Sequence, residues 1–242
     1  MSGPSKILLS VEAIRGLYEF GIGWLLNMPL QYISPKGDGH PVLILPGLGA
    51  GDSSTHYLRN FLEKIGYKPQ TWNLGRNYGP RDGMDNMMDK LSARVSEISQ
   101  LHDNSEVSII GWSLGGIYGR EIAKICPDLV RQVITLGTPF KSANNSTNAS
   151  ALYELLSKDK SHLDPEIIKK IGTAPPVPFT SMYSKSDGVV HWECSIEDSG
   201  PFYENIEIPG ASHLGLGHNP ISVFIIANRL LNTKECWTPY LK

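Results

Sequence analysis

The chain has 242 residues, with 24 acidic and 22 basic side chains, a formal net charge of -2 and 40% hydrophobic residues. This near-neutral charge gives no electrostatic footprint for nucleic acid, and so many apolar residues exclude a disordered chain. Cys126, Cys194 and Cys236 form no CxxC pair, which predicts reduced, buried thiols rather than disulfides or a metal site. Charges interrupt the N-terminal segment before an apolar signal core of normal length forms, so a cytoplasmic location is expected.

The N-terminal segment, residues 1–36, is predicted to contain one helix over residues 5–27. Its apolar stretch from Leu17 to Leu30 is broken by Glu19, ends at a Pro-containing turn and is too short to span a bilayer. Two interpretations are open for this helix. It packs over the body of the protein, or it makes peripheral contact with a membrane surface or a partner, although it lacks the Lys/Arg-rich polar face typical of such helices.

Beyond this segment, strands and helices alternate along the chain. Residues 141–178 interrupt the alternation with a polar loop and short helices, which predicts a lid inserted over one edge of a sheet. The pattern predicts an α/β fold in a single domain of residues 1–242, with a doubly wound, mostly parallel sheet of about six strands and helices on both faces. The predicted strands cover residues 41–45, 67–74, 107–110, 130–136, 179–183 and 206–208, and the main helices after the first cover residues 57–65, 84–101, 114–126 and 221–231.

A G-x-S-x-G motif, Gly111-Trp112-Ser113-Leu114-Gly115, lies between a predicted strand and a predicted helix. The motif's chemistry needs this setting, because the serine must occupy a strained turn with its hydroxyl exposed above the sheet. Glycines at both ends let the flanking elements approach closely. The alternative is a serine that only caps the helix. The setting favours Ser113 as a nucleophile.

A serine hydroxyl becomes a good nucleophile only when a base takes its proton and an acid orients that base. On a doubly wound sheet, these groups come from loops that follow later strands. Asp187 follows the predicted strand over residues 179–183 and is the preferred acid. Asp164, Glu193 and Asp198 are the competing acids, and Asp164 has the position of a helix N-cap.

The base is expected in the loop after the last predicted strand. Pro209-Gly210-Ala211-Ser212-His213 supplies His213 there. His218, five residues further on, is its rival, although it directly precedes Asn219-Pro220 at the start of the final helix. His213 is the preferred base.

The tetrahedral intermediate of acyl transfer has an oxyanion, which needs two backbone N–H donors. One donor is predicted at Leu114, the residue after the nucleophile, and the other at Leu48 in the Pro46-Gly47-Leu48-Gly49 loop. This loop lacks the Lys-Ser/Thr of a P-loop and the G-x-G-x-x-G spacing of a dinucleotide site. Neither a nucleotide or other cofactor nor a metal is expected.

The order Ser113, Asp187, His213 on this alternating chain resembles the α/β-hydrolase superfamily over residues 40–232, and in particular bacterial lipase-like and esterase-like serine hydrolases. The resemblance implies the α/β-hydrolase fold, a nucleophile, acid and base at these three positions, and oxyanion donors at Leu48 and Leu114. Pro46-Gly47 replaces the usual His-Gly, which leaves the subfamily and substrate open. The matching segments are Leu45-Pro46-Gly47-Leu48, Gly111-Trp112-Ser113-Leu114-Gly115-Gly116, Leu136-Gly137-Thr138-Pro139-Phe140 and Ala211-Ser212-His213-Leu214-Gly215.

The predicted activity is hydrolysis of a small-molecule or lipid carboxylic ester through an acyl-enzyme on Ser113. The acyl site is predicted to be apolar, with Trp112 and the insertion residues Leu152, Tyr153 and Leu156 as its walls. Acyl transfer to an alcohol or amine by the same triad stays open, as does a non-catalytic binding protein that kept the fold. Dehalogenase and epoxide-hydrolase chemistry is disfavoured because it needs an aspartate at position 113.

Overall fold

The structure is a computed structural model that describes residues 5–141 and 165–240. Within these ranges, six strands form one sheet and every neighbouring pair is parallel. The strands are β1 (Pro41–Leu45), β2 (Lys68–Thr71), β3 (Val107–Trp112), β4 (Val130–Leu136), β5 (Phe179–Tyr183) and β6 (Tyr203–Glu207). The α-helices are α1 (Lys6–Ile33), α2 (His56–Lys64), α3 (Met84–Leu101), α4 (Leu114–Ile125), α5 (Pro165–Gly172) and α6 (Pro220–Arg229).

The strands lie in the order β2-β1-β3-β4-β5-β6. The chain therefore runs from β1 to one edge of the sheet, then crosses back to build the other side from β3 onward. At this switch point Leu45 of β1 pairs with Gly111 of β3, so the loops that follow the two strands leave the same edge together. Open α/β sheets bind their ligands at such a point.

The predicted α/β class with about six strands is confirmed, and the described sheet is wholly rather than mostly parallel. Both faces of the sheet are covered. Leu43 and Leu45 of β1 pack in one core with α3 and α4, whereas Val42 and Ile44 pack in the other with α2 and α6. This two-sided burial explains why β1 is apolar at every position.

The N-terminal helix α1 is longer than the sequence predicts. The predicted turn at Pro29 is wrong, because Pro29 lies inside the helix. An internal proline removes one backbone hydrogen bond but does not have to end a helix when packing holds the following turn. Leu30 is buried in the core shared with α2 and α6 and fixes that turn. Among the described residues, no helix has both the length and the hydropathy needed to cross a membrane.

The predicted insertion, residues 141–178, is described only in part. Helix α5 confirms its predicted short helix over residues 165–171. Residues 142–164 lie outside the described residues, so the role of the insertion as a lid stays a prediction.

Cys126 and Cys236 are free thiols. Cys194 is buried as predicted, but Cys126 is only partly buried. The prediction of a buried thiol is wrong for Cys236, which is exposed because it follows the last helix, beyond the core.

Candidate active site

Ser113 occupies the sharp turn between β3 and α4. Its φ of 52° and ψ of -118° are a strained conformation for a residue with a side chain. Two contacts hold its backbone there: its N–H donates to Leu136 O at 2.9 Å, and Thr138 Oγ1 donates to its carbonyl oxygen at 3.0 Å. The turn is therefore fixed by β4 and by the residues that follow β4.

Glycines around Ser113 make the close packing of this turn feasible. A Cβ at Gly111 would lie 2.3 Å from the Cα of Gly116, and a Cβ at Gly115 would lie 2.3 Å from the carbonyl oxygen of Leu45. A Cβ at Gly116 itself would lie 2.0 Å from Thr138 Oγ1. These distances leave no space for a side chain, as the G-x-S-x-G motif predicts.

The structure brings Asp187 and His213 together from the loops after β5 and β6. Their side chains are buried, and His213 Nδ1 lies 2.7 Å from Asp187 Oδ2. The other carboxylate oxygen, Oδ1, accepts from the N–H groups of Val189 and Val190 at 2.8 and 2.7 Å. Because both oxygens are engaged, the carboxylate is fixed and orients the imidazole so that Nε2 is the ring nitrogen left for another group.

The rival His218 lies in a different environment from His213. Its ring packs against the rings of Phe20, Tyr57 and Trp112, with centroids 5.1, 5.5 and 5.4 Å away. Burial lowers the pKa of His218. It therefore forms part of an aromatic wall, and Asp187 contacts His213 instead.

The competing acids lie elsewhere. Glu193 Oε2 is 3.7 Å from His191 Nδ1, and Asp198 pairs with Lys141 Nζ at 2.8 Å on the surface. Asp164 lies outside the described residues. Of the described candidates, Asp187 is the acid that the structure places against His213.

The predicted oxyanion donors lie on two segments that meet at Ser113. Leu114 is the first residue of α4, where the helix itself provides no acceptor for the N–H. The loop with Leu48 passes close by, since a Cβ added to Gly47 would lie 3.4 Å from Ser113 Cβ. Over the described ranges, neither N–H has a hydrogen-bond acceptor, which leaves both available to an oxyanion.

Asn77, which sequence reasoning missed, holds the Leu48 loop in place. It is fully buried, and its carbonyl oxygen accepts from Gly49 N at 2.6 Å. Its own N–H donates to Ala50 O at 2.7 Å, and its Nδ2 donates to Pro46 O at 2.8 Å. In the sequence, Asn77 stands in a turn-rich stretch where asparagine is common, so no local signal separates it from a surface turn residue.

A large cavity of about 1590 Å³ reaches Ser113 and His213. It exceeds the ~300–1,000 Å³ of most small-ligand sites. Trp112 lines it, whereas Leu152, Tyr153 and Leu156 lie outside the described residues, so the predicted walls of the acyl site stay a prediction. Sequence reasoning missed that α1 forms one wall, which includes Leu17, Phe20, Trp24, Leu25 and Met28.

Solved structures with the same fold are α/β hydrolases. A lipase of Bacillus licheniformis superposes with a TM-score of 0.58 at 15% identity, over 82% of this chain and 94% of that chain. A monoacylglycerol lipase of Paleococcus ferrophilus gives 0.56 at 16% identity over 81% and 96%. An α/β superfamily hydrolase of Oenococcus oeni gives 0.57 at 15% identity over 83% and 94%. This similarity confirms the predicted α/β-hydrolase fold.

Curated relatives match a shorter part of the chain. Triacylglycerol lipases of Pseudarthrobacter phenanthrenivorans and Burkholderia plantarii are each 27% identical over 135 residues, or 53% of this chain. The matched part spans only 41% and 37% of the lengths of these lipases. The family model described as palmitoyl protein thioesterase matches residues 41–182, which is more than half of the chain. The chain therefore belongs to the palmitoyl protein thioesterase family, within the lipase-like and esterase-like α/β hydrolases.

Proposed function

We propose that this protein is a serine hydrolase that cleaves a carboxylic ester with an apolar acyl group. Ser113 is the nucleophile, His213 the base and Asp187 the orienting acid. The observation that supports this most is the buried 2.7 Å contact between His213 Nδ1 and Asp187 Oδ2, in the same cavity as the strained turn at Ser113. The lipase names of the curated relatives agree with this class of substrate.

In the proposed reaction, Ser113 Oγ attacks the ester carbonyl carbon while His213 Nε2 takes the hydroxyl proton. The carbonyl oxygen becomes an oxyanion and accepts from the N–H groups of Leu48 and Leu114. The intermediate then collapses: the bond to the leaving oxygen breaks, and His213 returns the proton to the departing alcohol. In the second half, His213 takes a proton from water as the water attacks the acyl-serine carbonyl, and it returns that proton to Ser113 Oγ as the acyl–oxygen bond breaks and the carboxylic acid leaves.

A thioester is the second candidate substrate, because the matching family model is that of palmitoyl protein thioesterases. The acyl-enzyme is the same for both bonds, and only the leaving atom changes from oxygen to sulfur. The size and apolar walls of the cavity fit a long acyl chain in either case. Measuring kcat/KM for an oxygen ester and a thioester of the same acyl chain separates the two substrate classes.

The proposed function is tested with nitrophenyl esters of increasing chain length. Ser113→Ala is expected to lower kcat by at least about 10³-fold, because the nucleophile is lost. Ser53→Ala is the matched control, since Ser53 lines the same cavity but has no role in the proposed chemistry. Full turnover by Ser113→Ala would refute the proposal. A preference for short over long acyl chains would refute the long-chain part alone.

We also propose that α1 contacts a lipid surface from which the substrate enters the cavity. Between Gly16 and Ile33 the only charged side chain is Glu19, which is buried, and the outer face is apolar. A contiguous exposed apolar face marks a site of protein or membrane contact, and an interfacial helix buries such a face at the headgroup boundary. The face is continuous with the cavity wall, because Leu17 and Trp24 belong to both. The large apolar side chains exposed along the whole of α1 are Ile7, Leu9, Ile14, Leu17, Tyr18, Phe20, Trp24, Leu25, Leu26, Met28, Tyr32 and Ile33.

Co-sedimentation with phosphatidylcholine vesicles tests this contact. The double variant Ile14→Ser/Tyr18→Ser is expected to bind less, because both side chains are exposed and lie outside the cavity lining. Its hydrolysis of a soluble short ester is expected to stay unchanged. Leu101→Ser, at an exposed apolar residue of α3, is the control and is expected to bind like the unmodified protein. Equal vesicle binding by the unmodified protein and the double variant would refute the contact.

A further inference from the structure

The face of α1 that packs on the protein has two carboxylates, whereas its outer face is apolar. Its buried residues are Glu12, Gly16, Glu19, Gly23 and Leu30, which recur every three, four or seven positions along one side of the helix. Glu12 and Glu19 are only 4% and 7% exposed. A buried carboxylate is costly unless hydrogen bonds compensate the lost water. The partners of these two side chains therefore show what this face of α1 does.

Glu12 joins the two loops that hold Asp187 and His213. We call residues 184–190 the acid loop and residues 208–219 the base loop. Glu12 Oε2 accepts from the N–H of Gly188 at 3.1 Å, and Oε1 accepts from the N–H of Leu214 at 3.0 Å. Gly188 directly follows Asp187, and Leu214 directly follows His213. A single carboxylate thus binds the backbone next to both groups.

Arg15, one turn further along α1, joins the same two loops through their carbonyl groups. Its Nη1 donates to Ser186 O at 2.7 Å, and its Nη2 donates to Gly210 O at 2.9 Å. Nη1 also lies 3.6 Å from Glu12 Oε2, so the two side chains support each other. Because a guanidinium is planar and rigid, its two bonds fix the spacing of the carbonyl groups.

Close backbone packing shows that this contact is built into the fold. A Cβ at Gly188 would lie 2.6 Å from the carbonyl carbon of Leu8, and a Cβ at Gly16 would lie 2.8 Å from Leu214 Cβ. One glycine lies on the acid loop and the other on α1. Both loops can therefore press against the helix only because these positions have no side chain.

We propose that Glu12, with Arg15 beside it, is a positioning residue that sets the spacing of the acid loop and the base loop. In this way it keeps the Asp187 and His213 side chains in contact without touching the substrate. The inference rests on the proposed hydrolase function, because it concerns how that site is held together. Helix α1 then has two roles, since its inner face orders the triad and part of its outer face lines the cavity.

The charge of Glu12 also acts on the base. The charged or titratable groups packed around the base loop in the described residues include Asp187 from the acid loop, Glu12, Arg15 and Glu19 from α1, Tyr57 from α2, and His218 within the loop. Burial alone lowers the pKa of His213, but the charge and hydrogen bond of Asp187 and the charge of Glu12 outweigh it, so this pKa lies above its ordinary value of 6.5. The neutral imidazole is the base, so kcat/KM falls as the pH drops through this pKa. Removal of the Glu12 charge lowers the pKa.

The test compares two variants of Glu12: one removes the negative charge of its side chain, and the other keeps the charge but shortens the side chain. Glu12→Gln removes the charge and one of the two acceptors, so we expect kcat to fall by about 10- to 100-fold with little change in KM, since misplaced groups slow the chemical step. The acid limb of its kcat/KM profile is expected to move to lower pH. Glu12→Asp keeps the charge but is too short to reach both N–H groups, so its kcat is expected to fall while the acid limb stays in place.

Glu19→Gln is the matched control, because Glu19 is buried on the same face of α1 but its hydrogen bonds within the described residues all go to the base loop, at Ser212 and Asn219. Its acid limb is expected to stay in place. Glu12 variants with wild-type kcat and an unmoved acid limb would overturn the inference. An equal shift of the acid limb in Glu19→Gln would overturn it too, because general packing of α1 would then be the cause. If Ser113→Ala retains full turnover, the proposed function fails instead.

Discussion

Replacement of Asp187 by asparagine is a sharp test of how the buried acid acts. Oδ1 of Asp187 accepts from two backbone N–H groups, of Val189 and Val190. In Asp187→Asn the amide oxygen must keep this position, because an NH₂ group there would face two donors. The amide NH₂ group therefore takes the place of Oδ2, opposite His213 Nδ1. The imidazole must then accept a hydrogen bond at Nδ1, so its own proton moves to Nε2. A protonated Nε2 cannot take the proton of Ser113.

The expected loss follows from this change of tautomer. In a serine protease with the same three groups, the equivalent replacement lowers kcat by about 10⁴-fold, or about 5 kcal/mol at 1.36 kcal/mol per tenfold. The burial of Asp187 and His213, each 4% exposed as a residue, leaves little room for water to substitute for the lost carboxylate. We expect a loss of the same order here, together with a lower pKa of His213.

The assay is kcat for a soluble nitrophenyl ester, measured from pH 5 to 9, with the melting temperature as a check on folding. The control is Asp198→Asn, which alters an exposed acid that pairs with Lys141 on the surface. Asp198→Asn is expected to retain its activity. A folded Asp187→Asn variant with less than a tenfold loss of kcat would refute the assigned role of Asp187.

Two further predictions concern the serine turn and the oxyanion loop. Gly116→Ala is expected to lower the free energy of unfolding by about 1–3 kcal/mol, because its Cβ would lie 2.0 Å from Thr138 Oγ1; an unchanged urea midpoint would contradict this. Asn77→Ala is expected to lower kcat by up to about 10²-fold, because the loop with Leu48 loses the hydrogen bond from Asn77 Nδ2 to Pro46 O that helps to fix it. The control is Asn60→Ala, at an exposed residue that lines the cavity. Equal kcat values for the two variants would contradict the prediction.

Most of the sheet could be predicted from the sequence because parallel strands buried on both faces leave continuous apolar runs. β1, β4 and β5 begin and end where the sequence predicts. The edge strands were harder, since β2 and β6 are partly exposed and have mixed polar and apolar residues. The prediction for β6 covered only its last part, and that for β2 was too long.

The positions of Ser113, Asp187 and His213 could be predicted because parallel strands bring their following loops to one edge of the sheet. The contacts made by the inner face of α1 could not be predicted from the sequence. The sequence shows Glu12 and Glu19 as interruptions of an apolar helix, and only the fold shows that they point inward. The available signal was that Glu12 and Glu19 are seven residues apart and therefore lie on one side of the helix, together with Gly16 and Gly23. The cytoplasmic location, the single-domain boundaries and the catalytic roles stay predictions.

The most direct test of the central claim is labelling with a fluorophosphonate, followed by mass spectrometry of the peptides. This reagent reacts with a serine whose hydroxyl is activated by a base, so it reports on the proposed nucleophile and base together. We predict one stoichiometric adduct on the peptide that contains Ser113, loss of the adduct in Ser113→Ala, and much slower labelling in His213→Ala. An unlabelled Ser113 in a protein that still hydrolyses esters, or an adduct confined to another serine, would contradict the account.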